Sequence, residues 1–512
     1  MHMKIRKERG LSLILSVVLV ITVFTAGCES NSKPSSESEV SSQTSEINNI
    51  SEDGNISENG SEANESDTIE SDTSGPETNK SDANESSQVK TSTASSTPTP
   101  SVPVVDLKGR VIKIGTVYSE EYNQDPGQSP FSDLFKEKEN EIEKKFNCTI
   151  EFVRIAPGSC ENIIANAVKA NSAPYDLVEC DVASARNLAR AKTLLDQKTL
   201  KSIDLDDKRF NKTVNESFTF NGKVYGSGYE NASITGVLFN KRILEANKQP
   251  DIYKLYDEGN WTWEAFENIA KATTTPYKPD KTRDVYGITG STNIIGLALT
   301  ANAGATVSRN SSGQYIINMA SEEGVYAMNW CRKLMFEDGV YDYTVTDWQA
   351  AISHFAEGKA TFFPFYAWVA RDLSRTMIDD VGFVCFPRGP SQDTYINGLY
   401  GGKAFVFPKT VKNPEEVATV YYEFASVSAK IWEIYENQYK GWGFDDKSFE
   451  ILREVAEKYS RTEFSVGPDY SGFSKDMNDS VFKRSGDPAA VMASVKSKFQ
   501  KATDDYYNEF PQ

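Results

Sequence analysis

The sequence predicts an α/β fold of two lobes, each a mostly parallel sheet flanked by helices and joined by a hinge. Three observations carry that prediction. Strand-like apolar runs alternate with amphipathic helical patterns from residue 110 to residue 426, the signature of βαβ units. The part of the chain able to fold is about 410 residues long, too long for one compact core. The third is the stretch Phe355-Ala356-Glu357-Gly358-Lys359-Ala360-Thr361-Phe362-Phe363-Pro364-Phe365-Tyr366-Ala367-Trp368. It reads as a helix end, a glycine stop, a buried strand and an exposed aromatic loop. Tyr366 and Trp368 fall past the C-terminal end of that strand, where open α/β sheets bind ligands.

The N-terminal 27 residues read as a lipoprotein signal peptide. Lys4, Arg6, Lys7 and Arg9 precede 14 residues, 11–24, of which 11 are apolar. That is short for a membrane span and suited to a signal peptide. It ends in Thr25-Ala26-Gly27-Cys28, similar to a bacterial lipobox in which Cys28 is diacylated, although Thr25 stands where an aliphatic residue is usual. Residues 28–104 read as a lipid-anchored disordered linker. Positions 29–100 hold 15 acidic and 3 basic residues and no aromatic one, so the segment has too little apolar surface to offset its ordering entropy. As a coil it reaches about 50 Å, which suits a tether; a mucin-like stalk is the other reading.

Within the folded part, strands are expected at 110–115, 149–155, 175–181, 235–240, 285–289, 359–365, 381–386 and 403–407. Helices are expected at 131–146, 161–170, 183–195, 263–272, 322–336, 348–357 and 415–426. Leu134, Phe135, Ile142 and Phe146 share one helical stripe, as do Trp263, Phe266, Ile269 and Ala270. Thr262 is the expected N-cap of the second of these helices, and Asn221-Gly222 marks a hairpin turn.

Composition excludes several classes. The chain carries −18 overall, the tether −12 and the leader +3, so residues 101–512 carry −9; no basic patch of the kind nucleic acid requires is present. Cys148, Cys160, Cys180, Cys331 and Cys385 show no paired or zinc-type spacing, so neither a disulfide framework nor a metal or other cofactor is expected. His2 and His354 are the only histidines, which leaves one candidate base for nucleophilic hydrolysis. Paired carboxylates acting on glycosides remain the least favoured alternative.

Several motifs then carry a resemblance. Asn221-Gly222-Lys223-Val224-Tyr225-Gly226, Val237-Leu238-Phe239-Asn240-Lys241, Trp261-Thr262-Trp263-Glu264-Ala265-Phe266, the 355–368 stretch and Tyr400-Gly401-Gly402-Lys403-Ala404-Phe405 occur in this order. Together they resemble the bacterial extracellular solute-binding proteins of family 1, the sugar-binding lipoproteins of ABC importers, over residues 110 to about 510. Phe239 stands where that family has Tyr, Trp261 where it has Pro, Ala265 where it has a second Glu, Phe362 where it has a small residue or Met, and Tyr366 where Gly is common. These changes imply a bulkier, more aromatic cleft.

The resemblance implies a type II periplasmic-binding-protein-like fold. Lobe one would comprise 105–229 and 398–430, and lobe two 232–395 and 431–512. It implies capture of a carbohydrate between the lobes by a monomer, and delivery to permease subunits at the extracellular face of a Gram-positive membrane. A surface receptor or adhesin, or a binding protein for a peptide, are the alternatives. A sugar presents apolar C–H faces and a hydroxyl rim, which call for aromatic platforms with carboxylates, amides and arginine at their edges. Trp368 aligns with the family's stacking Trp, and Tyr366 adjoins it. Asp181 ends a strand, as a hydroxyl ligand or as a helix N-cap. Tyr118 and Glu120 follow the first strand. Glu230, Asn231, Asn293, Arg371, Tyr400, Gly401 and Trp442 complete the candidates; Trp330 and Trp432 are expected in the core.

Overall fold

The computed structural model describes residues 105–125, 127–230, 234–290, 293–345 and 347–511, with side chains 472–474 excepted. The leader, Cys28, the tether and Asn231 lie outside the described residues. Ten strands organise the chain: β1 Arg110–Thr116, β2 Cys148–Arg154, β3 Leu177–Asp181, β4 Thr235–Asn240, β5 Tyr286–Ile288, β6 Ala360–Tyr366, β7 Val381–Val384, β8 Asn397–Leu399, β9 Lys403–Val406 and β10 Ser460–Thr462. Two short hairpins, at 219–224 and 307–317, supplement them.

The lobe-one sheet has the order β9-β3-β1-β2 and the lobe-two sheet the order β7-β4-β6-β5. In each, three strands run one way and one is reversed. The reversed strands are β9 and β4, those the chain enters as it passes from one sheet to the other. By direction both sheets are mostly parallel, as expected. By pairing they differ, because β9 is an edge strand with one antiparallel ladder, whereas β4 is internal and makes two. The two crossings are tied together: Asn397 Oδ1 accepts from the Thr235 amide at 2.9 Å and from its hydroxyl at 2.6 Å, and β8 pairs in parallel with β10.

Local chemistry sets the helices. Ser129 caps Pro130–Phe146 by accepting from the Phe131 amide, with proline at the first position, and Asn147 ends it at φ 50°. The helix expected over 183–195 is shorter, Val182–Arg190. Lys192 takes φ 62° and the Leu188 carbonyl accepts from both the amide and the hydroxyl of Thr193. That closure turns the chain while its apolar pattern still runs on.

Lobe two buries its aromatic excess. Pro364 lies inside β6, but β5 pairs with β6 only at Ala360 and Phe362, so the missing N–H interrupts no ladder on that side. Phe362 and Trp261 are fully buried with ring centroids 5.9 Å apart, and Phe266 stacks on Phe362 at 4.7 Å. The Trp261 indole donates to the Cys385 carbonyl at 2.8 Å. The Phe239 ring lies across Gly382 of the neighbouring strand, and a Cβ at Gly382 would overlap it. Phe239, Trp261 and Phe362 therefore fill the core rather than enlarge a cleft, which corrects the expectation from the motifs.

The C-terminal segment packs on both sheets' surroundings. Fully buried Arg186 donates to the carbonyls of Ser217, Glu463 and Val466. Buried Glu463 accepts from the amides of Thr306 and Val307. Among the described residues no helix is long and apolar enough to cross a membrane. Gly382→Ala is expected to cost about 1–3 kcal/mol by overpacking against Phe239. The loss would be read as a lower urea midpoint at unchanged slope, and a Phe239→Leu background should recover part of it.

Candidate functional site

Both sheets present their candidate residues at the ends where the chain crosses. In lobe one, β1 runs out at Thr116 and a short turn follows at Ser119–Glu121. β3 ends at Asp181, which is opposite Lys403, the first residue of β9. The Lys403 side chain is only 16% exposed and pairs with Glu121; its ammonium stands 4.3 Å from the Tyr118 ring centroid. Glu179 is buried and accepts from the Thr116 hydroxyl at 2.6 Å and the Tyr122 hydroxyl at 2.8 Å. The Tyr122 and Tyr229 hydroxyls lie 3.2 Å apart. Glu230, on the outgoing crossing, accepts from the Tyr435 hydroxyl at 2.8 Å.

The electrostatics follow from this packing. Burial opposes the charge on Lys403, but Glu121, Glu179 and Glu230 outweigh it and hold its pKa above the ordinary lysine value. Burial pushes Glu179 up to about 7 against the pull of Lys403, with Glu121 adding to the rise. Burial likewise raises Glu230, again opposed by Lys403. Burial raises the Tyr118 phenol too.

In lobe two, Tyr366 ends β6 opposite Thr235, the first residue of β4, so the loop after it lies beside the crossing. Trp368 follows on a short turn, Ala367–Val369. It is half-buried, edge-on to Trp348 at 6.0 Å and to Phe365 at 5.7 Å, and near-parallel to Tyr366 at 6.3 Å. The Arg371 guanidinium lies 5.7 Å from the Trp368 ring and donates to Asp372 at 3.0 and 3.2 Å. Helix Ser428–Gly441 carries Trp432, Tyr435 and Tyr439 on one face and is capped by Trp442, with successive ring centroids 5.6, 6.2 and 5.0 Å apart.

Several other candidates are held by contacts within the fold. Asp181 caps helix Val182–Arg190, accepting from the Ser184 amide and hydroxyl at 2.9 Å each, so the N-cap reading describes it. Glu120 pairs with Arg154 at 2.6 Å and is 41% exposed; its neighbour Glu121 is the residue that meets Lys403. The Tyr400 hydroxyl is within 2.7 Å of Thr300, 2.9 Å of Thr306 and 3.2 Å of the Gly296 carbonyl. Gly401 is buried, and next to it Gly402 takes φ 128°, the left-handed turn of the return crossing. Asn293 begins helix Asn293–Ala303 with its side-chain amide nitrogen buried and unpartnered among the described residues. Trp442 ends its helix against Tyr439.

Residues 140–438 match the family described as bacterial extracellular solute-binding protein. The chain belongs to that family. No curated protein sequence matches it. Its fold is similar to those of many solved structures, three of them as follows. UspC of Mycobacterium tuberculosis is 15% identical, with 77% of this chain and 100% of that one covered and a TM-score of 0.58. A cyclo/maltodextrin-binding protein complexed with maltotetraose is 16% identical, with coverage of 78% and 98% and a TM-score of 0.58. The GacH receptor of Streptomyces glaucescens, solved unliganded and with acarbose, is 15% identical, with coverage of 78% and 99% and a TM-score of 0.54. The two-lobed architecture is shared with them.

In this solute-binding protein, sequence reasoning missed Lys403, Glu121, Glu179, Tyr435 and Trp348. Lys403 lay within a motif already noted, and its strand-first position was the available signal. Nothing local marks Tyr435, which meets Glu230 across 205 residues. Among the described residues no cluster of three His, Cys, Asp or Glu side chains is arranged to hold a metal ion. The arrangement offers aromatic faces on one sheet and charged, hydrogen-bonding groups on the other.

Glu179 supplies a pH test. A free glutamate titrates near 4.5, and this one near 7, so the folded state keeps a proton that the unfolded chain has lost. Its contribution to stability is complete below the unfolded value and falls as pH rises through about 7. Glu179→Gln is expected to flatten the decline in Tm between about pH 5 and 8; a profile identical to wild type would count against the buried, raised carboxyl.

Proposed function

We propose that this chain captures a carbohydrate, most simply an oligosaccharide, between its two lobes and delivers it to the permease of an ABC importer. The observation that carries the reading is the pairing of two surfaces at the crossing ends of the sheets. Tyr366 and Trp368 lie on lobe two, and Tyr118, Glu121 and Lys403 lie on lobe one. Aromatic faces suit the apolar side of a pyranose and the charged groups suit its hydroxyl rim. Membership of the extracellular solute-binding family and neighbours described with maltotetraose and with acarbose support it. Lobe one is taken as 105–229 with 398–430, and lobe two as 232–395 with 431–512, the hinge lying at the tied crossings. Trp368 is the platform, backed by Trp348 and flanked by Arg371; Glu230, Asn293 and Trp442 border the cleft. The protein acts as a monomer and as a carrier rather than an enzyme, held at the outer face of the membrane by diacylated Cys28.

A thermal-shift screen against mono- and oligosaccharides tests the class. A ligand at 100 times its Kd should add about 2.7 kcal/mol, and a screen with no stabilising saccharide would defeat the proposal, as would turnover of an oligosaccharide by substoichiometric protein. Trp368→Ala is expected to weaken the best ligand about tenfold or more while leaving the ligand-free midpoint nearly unchanged; a large drop in that midpoint would make Trp368 a core residue instead. Cys28→Ser should move the protein from the membrane fraction to the medium, and retention on membranes would contradict lipidation.

A further inference from the structure

A surface cavity of about 560 Å³ lies between helix Glu322–Phe336 and the turn at 483–486. It shares no residue with the crossing-end site. Its size falls within the range of small-ligand sites. Tyr326 and Trp330 line the cavity, and behind them Trp263 lies on Trp330 at 4.0 Å and 9°, and parallel to Tyr326 at 6.1 Å and 4°. Trp263 and Trp330 are buried, but Tyr326 is 55% exposed, so a flat ring braced from within is offered to solvent. Such a ring is suited to the C–H face of a sugar.

Two guanidinium groups line the same cavity. Arg332 donates to the Gly486 carbonyl at 3.0 Å, which fastens the turn to the helix. Arg484 adopts φ 52°, a left-handed backbone costly for a residue with a Cβ, and its guanidinium lies 4.3 Å from the Phe336 ring centroid. Among the described residues no carboxylate pairs with either arginine, whereas Lys333 is neutralised by Glu267 and Asp338. In a folded part that carries −9, two guanidinium groups without a paired carboxylate outnumber the cavity's one lining carboxylate, Glu337, which is a local preference for an anion. Asn329 and Glu337 also line the cavity and supply a donor and an acceptor suited to sugar hydroxyls.

We propose that this cavity is a second binding site, for an acidic saccharide. Tyr326 stacks on a sugar ring, Arg332 and Arg484 grip its carboxylate or phosphate, and Asn329 and Glu337 meet its hydroxyls. The site would hold the protein to an anionic glycan while the crossing-end site remains free.

The test is calorimetric titration of the full chain with three probes: an oligogalacturonate, its neutral methyl ester, and a phosphorylated maltodextrin. The expected result is binding of an anionic probe that weakens about tenfold or more in the Arg332→Ala/Arg484→Ala double variant and declines with added salt. Binding of the uronate alone assigns a carboxylate ligand, and binding of the phosphorylated probe alone assigns a sugar phosphate; either supports the proposal. Tyr326→Ala, a change at an exposed ring, should weaken the same probe with the midpoint of unfolding unchanged, and it serves should the double variant not fold. Binding of neither anionic probe overturns the proposal. So does a methyl ester that binds as well as the free acid, or an anionic probe that the variants bind as wild type does.

Discussion

The ammonium of Lys403 is the point at which the parts of lobe one and both interlobe crossings meet. It stands at the first residue of the returning strand, opposite the last residue of β3. Glu121 reaches it from the turn after β1, and Glu179 and Glu230 add their fields from β3 and from the outgoing crossing. Burying charge is costly unless it is matched. With the ammonium in place, three carboxylates from three segments can approach one another, and Tyr435 can bring helix Ser428–Gly441 against Glu230. Without it, the same carboxylates would have no nearby counter-charge among the described residues, and the raised pKa of Glu179 shows how narrow the balance is.

Lobe two is arranged by shape rather than charge. Its internal strand β4 carries Phe239 where the neighbouring strand offers Gly382, and the Phe383 ring of that strand, opposite Leu238, reaches diagonally across Gly236. Large and small residues thus interlock across one ladder, as close packing demands. Trp261 fits only because its indole N–H finds the Cys385 carbonyl. This dense interior backs β6, and the rigid strand delivers Tyr366 and Trp368 at its end. The half-burial of Trp368 follows: one edge rests on Trp348 and Phe365, and part of the ring stays accessible.

Much of the fold was legible in the sequence. Alternating apolar runs placed the strands of both sheets, Thr262 marked a helix start, and Gly358 marked a helix stop. Errors arose where long-range packing overrode a local pattern. The helix expected to reach residue 195 stops at Arg190 because Thr193 closes on Leu188. Glu120 and Glu121 are indistinguishable in sequence, and the path of one turn decides which faces Lys403 and which faces Arg154. The aromatic departures from the family pattern were visible, but their destination in the core was not.

The sequence by itself determined the class of fold, the order of its elements and the strand end beside which Tyr366 and Trp368 sit, although Tyr366 closes the strand rather than following it. Those depend on periodicity, capping and strand length, which act within a few residues. Tertiary structure alone decided the charged half of the site. Lys403 and Glu121 are 282 positions apart, and their pairing exists only because the chain leaves lobe one, builds lobe two and returns along β3. No local signal encodes a contact that depends on two crossings being tied side by side, as Thr235 and Asn397 tie them.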